Sequence, residues 1–213
     1  MTNVQIIIWV VLFNISPCLA VSAQQVANTG IFNEVSGSEM TAPAYPNPRL
    51  RIGETVPDFE FNILDDEQPK VKLYDFKEKL VILDFWSTWC GTCIAKFPYM
   101  DSLQDTYRGR LKFILINSRK TKDTDLMVRD LFDKRKAVNG EDYRSIFTIP
   151  VRDTVAVKFF KHVALPHYIW IRNHKVIAVT SSQYVSKENI QKALREEEFY
   201  LPEKDDIAKF GLN

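Results

Sequence analysis

The stretch LVILDFWSTWCGTCIAKFPYM, Leu80 to Met100, decides how this chain is read. Lys79 to Ser87 is apolar at nearly every position, as in a central strand buried on both faces, yet Asp84 stands in its middle. After Cys90 the apolar residues change period, and Ile94, Phe97, Met100, Leu103 and Tyr107 are spaced for one helical face. Pro98 falls inside that helix and is expected to kink it. Cys90 and Cys93 therefore sit where strand gives way to helix. Unpaired backbone N–H groups and the helix dipole favour a thiolate at Cys90. Cys93, one turn further on the same face, is near enough to bridge and is shielded from solvent. A thiolate at Cys90 can form a mixed disulfide that Cys93 resolves, which is dithiol-disulfide exchange and needs no cofactor.

The beginning of the chain supplies the compartment. MTNVQIIIWVVLFNISPCLAVSAQQ has no Lys, Arg, Asp or Glu, and its apolar run from Ile6 to Phe13 is followed by Ala-Val-Ser-Ala. Residues 1–23 read as a secretory signal peptide cut after Ala23, although its positive end is only the α-amino group. Asn14 and Pro17 leave the run too short for an anchor helix, and Pro17 argues against lipid attachment at Cys18. Cleavage removes Cys18, so Cys90 and Cys93 are the cysteines that stay. A domain stapled for stability would show several bridges between distant positions. A pair closing a two-residue gap staples little, which makes this one chemical.

Residues 24–50, rich in Asn, Ser, Thr and Ala with Pro43, Pro46 and Pro48, read as a flexible linker. Residues 51–200 form the folded domain, and the tail, 201–213, is either a docked helix or the remnant of something longer. With 28 Lys plus Arg against 27 Asp plus Glu, the net charge of +1 makes no electrostatic case for nucleic acid. The local runs at Arg119, Lys120 and Lys122 and at Lys134–Lys136 alternate with Asp123, Asp125, Asp130 and Asp133, and read as a solvated helix face.

Within the domain, Pro57–Leu64 and Lys70–Phe76 read as short strands around a polar turn. Arg110–Ser118 is a second buried strand and Thr124–Val138 a second helix. Ile146–Asp153 reads as a strand, Thr154–His162 as a short helix, and His167–Ser181 as a hairpin turning at Asn173 and His174. Ser186 caps a closing helix. The expected fold is α/β, a mixed central sheet with flanking helices and an antiparallel final hairpin.

Asp-Phe-Trp-Ser-Thr-Trp-Cys-Gly-Thr-Cys, Asp84 to Cys93, resembles the thioredoxin superfamily pattern almost position for position, with Thr92 where proline is usual. Pro98 falls at the family's helix kink, and Pro166, in Ala-Leu-Pro-His ahead of a strand, matches its cis-proline loop. The signal, the two early strands and the long excursion between Ile116 and Pro166 look like the extracytoplasmic TlpA/ResA type. The resemblance implies a thioredoxin fold with an N-terminal strand extension and a central helix-strand insertion. It implies a periplasmic or otherwise extracytoplasmic thiol-disulfide oxidoreductase, working as a reductase on cysteine-containing proteins and fed by a membrane electron donor.

The implied catalytic residues are Cys90, Cys93 and Asp84. Asp84, desolvated beneath the pair, is expected to have a raised pKa and to take the proton of Cys93. Trp89, Gly91, Thr92, Leu165 and Pro166 are the expected substrate-binding residues, Leu165 through its backbone. Lys96 stands where the TlpA/ResA group has glutamate; it either lowers the Cys90 pKa or faces solvent. His167 is expected at the rim or against substrate, Trp86 in the core, and Tyr168–Ile171 as core strand only. Rival readings are an oxidase or isomerase, favoured by Thr92; a copper or zinc module using Cys90, Cys93 and a histidine; and an inactive scaffold that binds through the Pro166 loop.

Overall fold

The computed structural model describes residues 49–64, 70–195 and 199–204. Residues 1–48, which hold the expected signal peptide and most of the expected linker, and the tail beyond Lys204 lie outside the described residues. Two short antiparallel strands, β1 (Glu60–Phe61) and β2 (Val71–Lys72), precede the main sheet. The second expected strand stops early because the Asp75 carboxylate accepts the Lys72 N–H at 2.8 Å, and Leu73–Phe76 winds into a tight helical turn instead.

The main sheet contains β3 (Leu80–Trp86), β4 (Leu111–Asn117), β5 (His167–Arg172) and β6 (Lys175–Thr180), in the order β4-β3-β5-β6. β3 is parallel to β4 and antiparallel to β5, so the sheet is mixed. All seven positions of β3 are buried, which accounts for its nearly unbroken apolar sequence. Successive side chains alternate between two cores. Leu80, Ile82 and Trp86 pack with residues of α1 (Gly91–Thr106), α2 (Asp125–Asn139) and α5 (Lys187–Leu194). Val81, Leu83 and Phe85 pack on the opposite face, against Val56, Phe59, Phe61, Leu73 and Phe160. Two shorter helices, α3 (Tyr143–Ile146) and α4 (Ala156–Phe159), lie between α2 and β5.

On the α1 side the rings of Trp86 and Phe97 stand 5.3 Å apart and those of Trp86 and Phe132 5.5 Å. Pairs of this kind contribute about 0.5–1.5 kcal/mol each beyond the area they bury. Helix starts follow their caps: the Thr124 hydroxyl accepts the Met127 N–H and the Ser186 hydroxyl accepts the Asn189 N–H, each at 3.2 Å. β5 and β6 meet at Asn173 and His174, whose φ values of 49° and 61° give the two left-handed residues of a tight hairpin turn.

One further expectation needs correction. Ile146–Asp153 is not a regular strand: Ile146 ends α3, and Pro150 has no N–H to give a ladder. The segment still lies along β4, taking the Leu115 N–H on Thr148 O and the Asn117 N–H on Pro150 O, both at 2.9 Å. The described residues of the tail, 201–204, take no regular secondary structure. Leu201 is buried in the core that holds the two cysteines, and Phe199 packs 5.6 Å from Trp170.

Candidate active site

Cys90 is the N-cap of α1, directly after the loop that leaves β3. Its Sγ accepts the Cys93 N–H at 3.3 Å, so a helix-terminal donor already points at the sulfur that would carry the charge. Cys90 and Cys93 are joined in a disulfide, with Cα atoms 5.3 Å apart. Cys90 keeps 6% of its surface and Cys93 none, so only the first sulfur can be reached from outside. Gly91 and Thr92 between them are exposed, and the Thr92 hydroxyl lies 3.6 Å from Cys90 Sγ. Pro98 lies inside α1, which runs through it without the N–H that would bond the Ile94 carbonyl.

Alternation along β3 puts Asp84 on the same face as Ile82 and Trp86, the face of the disulfide. It is fully buried, and neither carboxylate oxygen has a hydrogen-bond partner among the described residues. Burial therefore pushes the Asp84 carboxyl well above the ordinary 3.8, because the charged form loses water and gains little in return. Tyr168 faces it across the β3–β5 pairing and pulls the other way. No bond of normal length joins the two groups, since the phenol is also without a partner, and desolvation wins. Tyr168 thus belongs to the site, not only to the core strand. The signal that could have found it is its register one pair from the proline loop, opposite the sheet's single carboxylate.

The Leu165–Pro166 peptide is cis, and β5 begins with His167 paired to Phe85, so this loop lies at the same end of the sheet as Cys90. Leu165 is half-buried and packs against both cores. Trp89 is 65% exposed, and its indole N–H donates to Thr121 O at 3.3 Å. Trp86 is buried beneath the pair.

Asp123 does not lie on the solvated helix face expected for its charged stretch. Asp123 is 3% exposed, because it precedes the first turn of α2 and folds back under the loop before Cys90. Its carboxylate accepts the Thr88 N–H at 2.8 Å, the Thr88 hydroxyl at 2.7 Å and the Asn117 side-chain N–H at 2.6 Å. A carboxylate with three donors is stable when buried, in contrast to Asp84. It ties the end of β4 to the residues that aim Trp89 and Cys90. A sequence clue existed in its place just before the Thr124 cap, a position that does not lie on the helix face.

His167 does not join the site. It is 2% exposed on the face away from the disulfide, stacked 5.3 Å from His162 and edge-on to Phe85 at 5.8 Å. Burial, with the charges of His162, Lys204 and Arg49, holds its pKa well below 6.5. The rim placement fails because the strand's alternation turns residue 167 inward. Lys96 sits 4.5 Å over the Tyr99 ring, and partial burial lowers its pKa. Among the described residues no group of three His, Cys, Asp or Glu is arranged to hold a metal ion, so the copper or zinc reading finds no third ligand beside the cysteines.

Residues 51–194 match the Redoxin family model. The chain is 36% identical over 84 residues to the thioredoxin-like protein YneN of Bacillus subtilis, covering 39% of this chain and 48% of that one. It is 36% identical over 90 residues to the thiol-disulfide oxidoreductase ResA of Oceanobacillus iheyensis, covering 41% and 46%. It thus spans about half the length of the curated relatives it matches. A Chlorobium tepidum structure described as a thiol:disulfide interchange protein DsbE superposes with a TM-score of 0.53 at 25% identity, over 68% of this chain and 98% of that one. The thioredoxin domain of a Bacteroides vulgatus thiol-disulfide oxidoreductase gives 0.53 at 19% identity, over 68% and 99%, a likeness of fold alone. With its mixed sheet, its cysteine pair at a helix start and its cis-proline loop, the chain belongs to the Redoxin family and is a ResA-like member of the thioredoxin superfamily.

Proposed function

We propose that the chain exchanges its Cys90–Cys93 pair with disulfides of extracytoplasmic proteins, acting as a reductase. The observation that carries the reading is the asymmetry of the pair: Cys90 keeps 6% of its surface and accepts a helix N-terminal N–H, while Cys93 is completely buried. In the reduced enzyme the Cys90 thiolate attacks one sulfur of a substrate disulfide. A Cys90–substrate disulfide forms, the substrate disulfide breaks, and its second sulfur leaves as a thiolate that takes a proton. Cys93 then loses its proton to Asp84 and attacks Cys90 Sγ. That step releases the second substrate thiol and leaves the enzyme disulfide found in the structure. Two electrons pass from enzyme to substrate, and an external donor must restore the dithiol.

Trp89, Gly91, Thr92 and Leu165–Pro166 form the docking surface in this reading, with Leu165 offering backbone groups to an extended substrate. The printed names of the ResA relatives support thiol-disulfide chemistry, and the signal-like sequence at residues 1–23 supports the compartment and a membrane-side donor. Folding of residues 51–200 as the working domain goes with it. No helix among the described residues is long and apolar enough to cross a membrane.

The test is the reduction potential of the pair, set in glutathione or dithiothreitol buffers and followed by tryptophan fluorescence. A value near that of thioredoxin, about −270 mV, supports reduction; one near −120 mV redirects the reading to disulfide formation. A chain without a two-electron transition has no redox function. A Cys93→Ser variant should accumulate the Cys90 mixed disulfide, visible as a mass adduct.

A further inference from the structure

Among the described residues, the C-terminal tail reaches the docking loop at Lys204. Lys204 donates from Nζ to Ala164 O at 2.7 Å and to Pro166 O at 2.8 Å, the carbonyls on either side of Leu165. The ammonium is held in place by its own backbone: the Lys204 N–H donates to Val179 O of β6 at 2.9 Å. Upstream, Leu201 is buried in the cysteine-bearing core and Phe199 packs on Trp170. Val163 is 46% exposed, Ala164 to Pro166 are half-buried, and among the described residues nothing hydrogen-bonds either backbone group of Leu165.

A cation that takes both flanking carbonyls turns them toward the tail and away from the surface, through charge-assisted bonds stronger than ordinary peptide ones. Among the described residues the peptide groups of Leu165 are the ones left unengaged, at the end of the sheet where Cys90 stands. An extended polypeptide can take main-chain hydrogen bonds from such groups.

We propose that Lys204 is a positioning residue for substrate. It clamps Ala164 and Pro166 so that Leu165 presents its N–H and C=O to the polypeptide flanking the target cysteine, and the tail is thereby part of the docking site. The proposal rests on the thiol-exchange reading and adds to it a preference for polypeptide over small disulfides.

The experiment compares the whole chain with Lys204→Met, which keeps the hydrocarbon stem and removes the donors, and Lys204→Arg, which restores them. Each is assayed for insulin reduction with dithiothreitol as electron source, and for the rate of the reduced protein with 5,5′-dithiobis(2-nitrobenzoate), which has no peptide backbone. The expected result is a KM for insulin raised about fivefold or more in Lys204→Met with kcat nearly unchanged, the small-disulfide rate and midpoint potential held, and partial recovery in Lys204→Arg. An unchanged insulin KM overturns the proposal, and so do equal losses toward both disulfides, the mark of a merely structural lysine. If Lys204→Met does not fold, Lys204→Gln, with one donor group, carries the same comparison. A wild-type chain inert toward both disulfides removes the exchange reading itself and the proposal with it.

Discussion

Asp84 and His167 lie one residue pair apart in the β3–β5 register, and the sheet places them on opposite faces. Both are buried, and both are driven to their neutral forms by the same loss of water. For the carboxyl this means holding a proton, and for the imidazole losing one. The consequences differ because the surroundings differ. Asp84 shares its face with the disulfide, and a carboxyl with a raised pKa and unpartnered oxygens can give a proton to a sulfur there or, once ionised, take one. His167 is wedged between Phe85 and His162, beside the cations Lys204 and Arg49, and faces no sulfur. Burial alone therefore does not mark a catalytic group; burial on the reacting face does.

The change expected to act most strongly on this comparison is Asp84→Asn. Loss of a general base of this kind should slow resolution by Cys93 on the order of 10²-fold at neutral pH. The limb of the rate profile that rises above the ordinary carboxylate range should flatten. Stability should move the other way. A carboxyl whose folded pKa is raised contributes stability that is complete below 3.8 and is lost as pH rises through its folded value. The variant should thus be more stable than the wild type at pH 8 and no different near pH 3. Chemical denaturation at the two pH values checks it, and equal shifts at both would defeat the argument.

Asp123→Ala tests the contrast with a buried carboxylate that is fully partnered. Three donors would be orphaned, so unfolding should become easier by about 2–3 kcal/mol. The exchange rate should fall only as far as the loop carrying Trp89 and Cys90 loosens. A loss of activity as large as that of Asp84→Asn, without loss of stability, would contradict the structural role.

His167→Phe addresses the other face. The folded pKa of His167 is depressed, so its contribution is present above about 6.5 and is lost as pH falls through the folded value. Melting temperature followed from pH 8 to pH 4 should decline less steeply in the variant, while its exchange-rate profile keeps the wild-type shape. The smallest effect belongs to Tyr168→Phe. Tyr168 lowers the Asp84 pKa, so its removal should move the midpoint of the exchange profile to higher pH. A downward move would mean that Tyr168 favours the protonated acid.

Much of this was legible from residues. The unbroken apolar run Leu80–Trp86, the change of period at Cys90 and the caps at Thr124 and Ser186 are local signals, and local signals locate elements. Asp84 could be placed in the site because alternation along a strand fixes its face. What was not legible depends on contacts between distant segments. Ile146–Asp153 has strand-like composition, and only its partner shows that Pro150 interrupts the ladder. Asp123 looks like one more acid in a charged stretch until the loop at Thr88 is laid on it. His167 follows the proline loop in sequence but is turned inward by the pleat. The tail's role needed three partners, Trp170, Val179 and the proline loop, none near it in the chain.

Gly91 has one more implication. A methyl group built at its Cα would meet nothing within 4 Å, and Thr92 beside it is exposed. The two residues between the cysteines can thus be exchanged with little demand on the fold, while they sit against the sulfurs whose relative acidity sets the direction of electron flow. Selection, or a designer, could retune the direction of exchange by editing that dipeptide, with the scaffold left as it is.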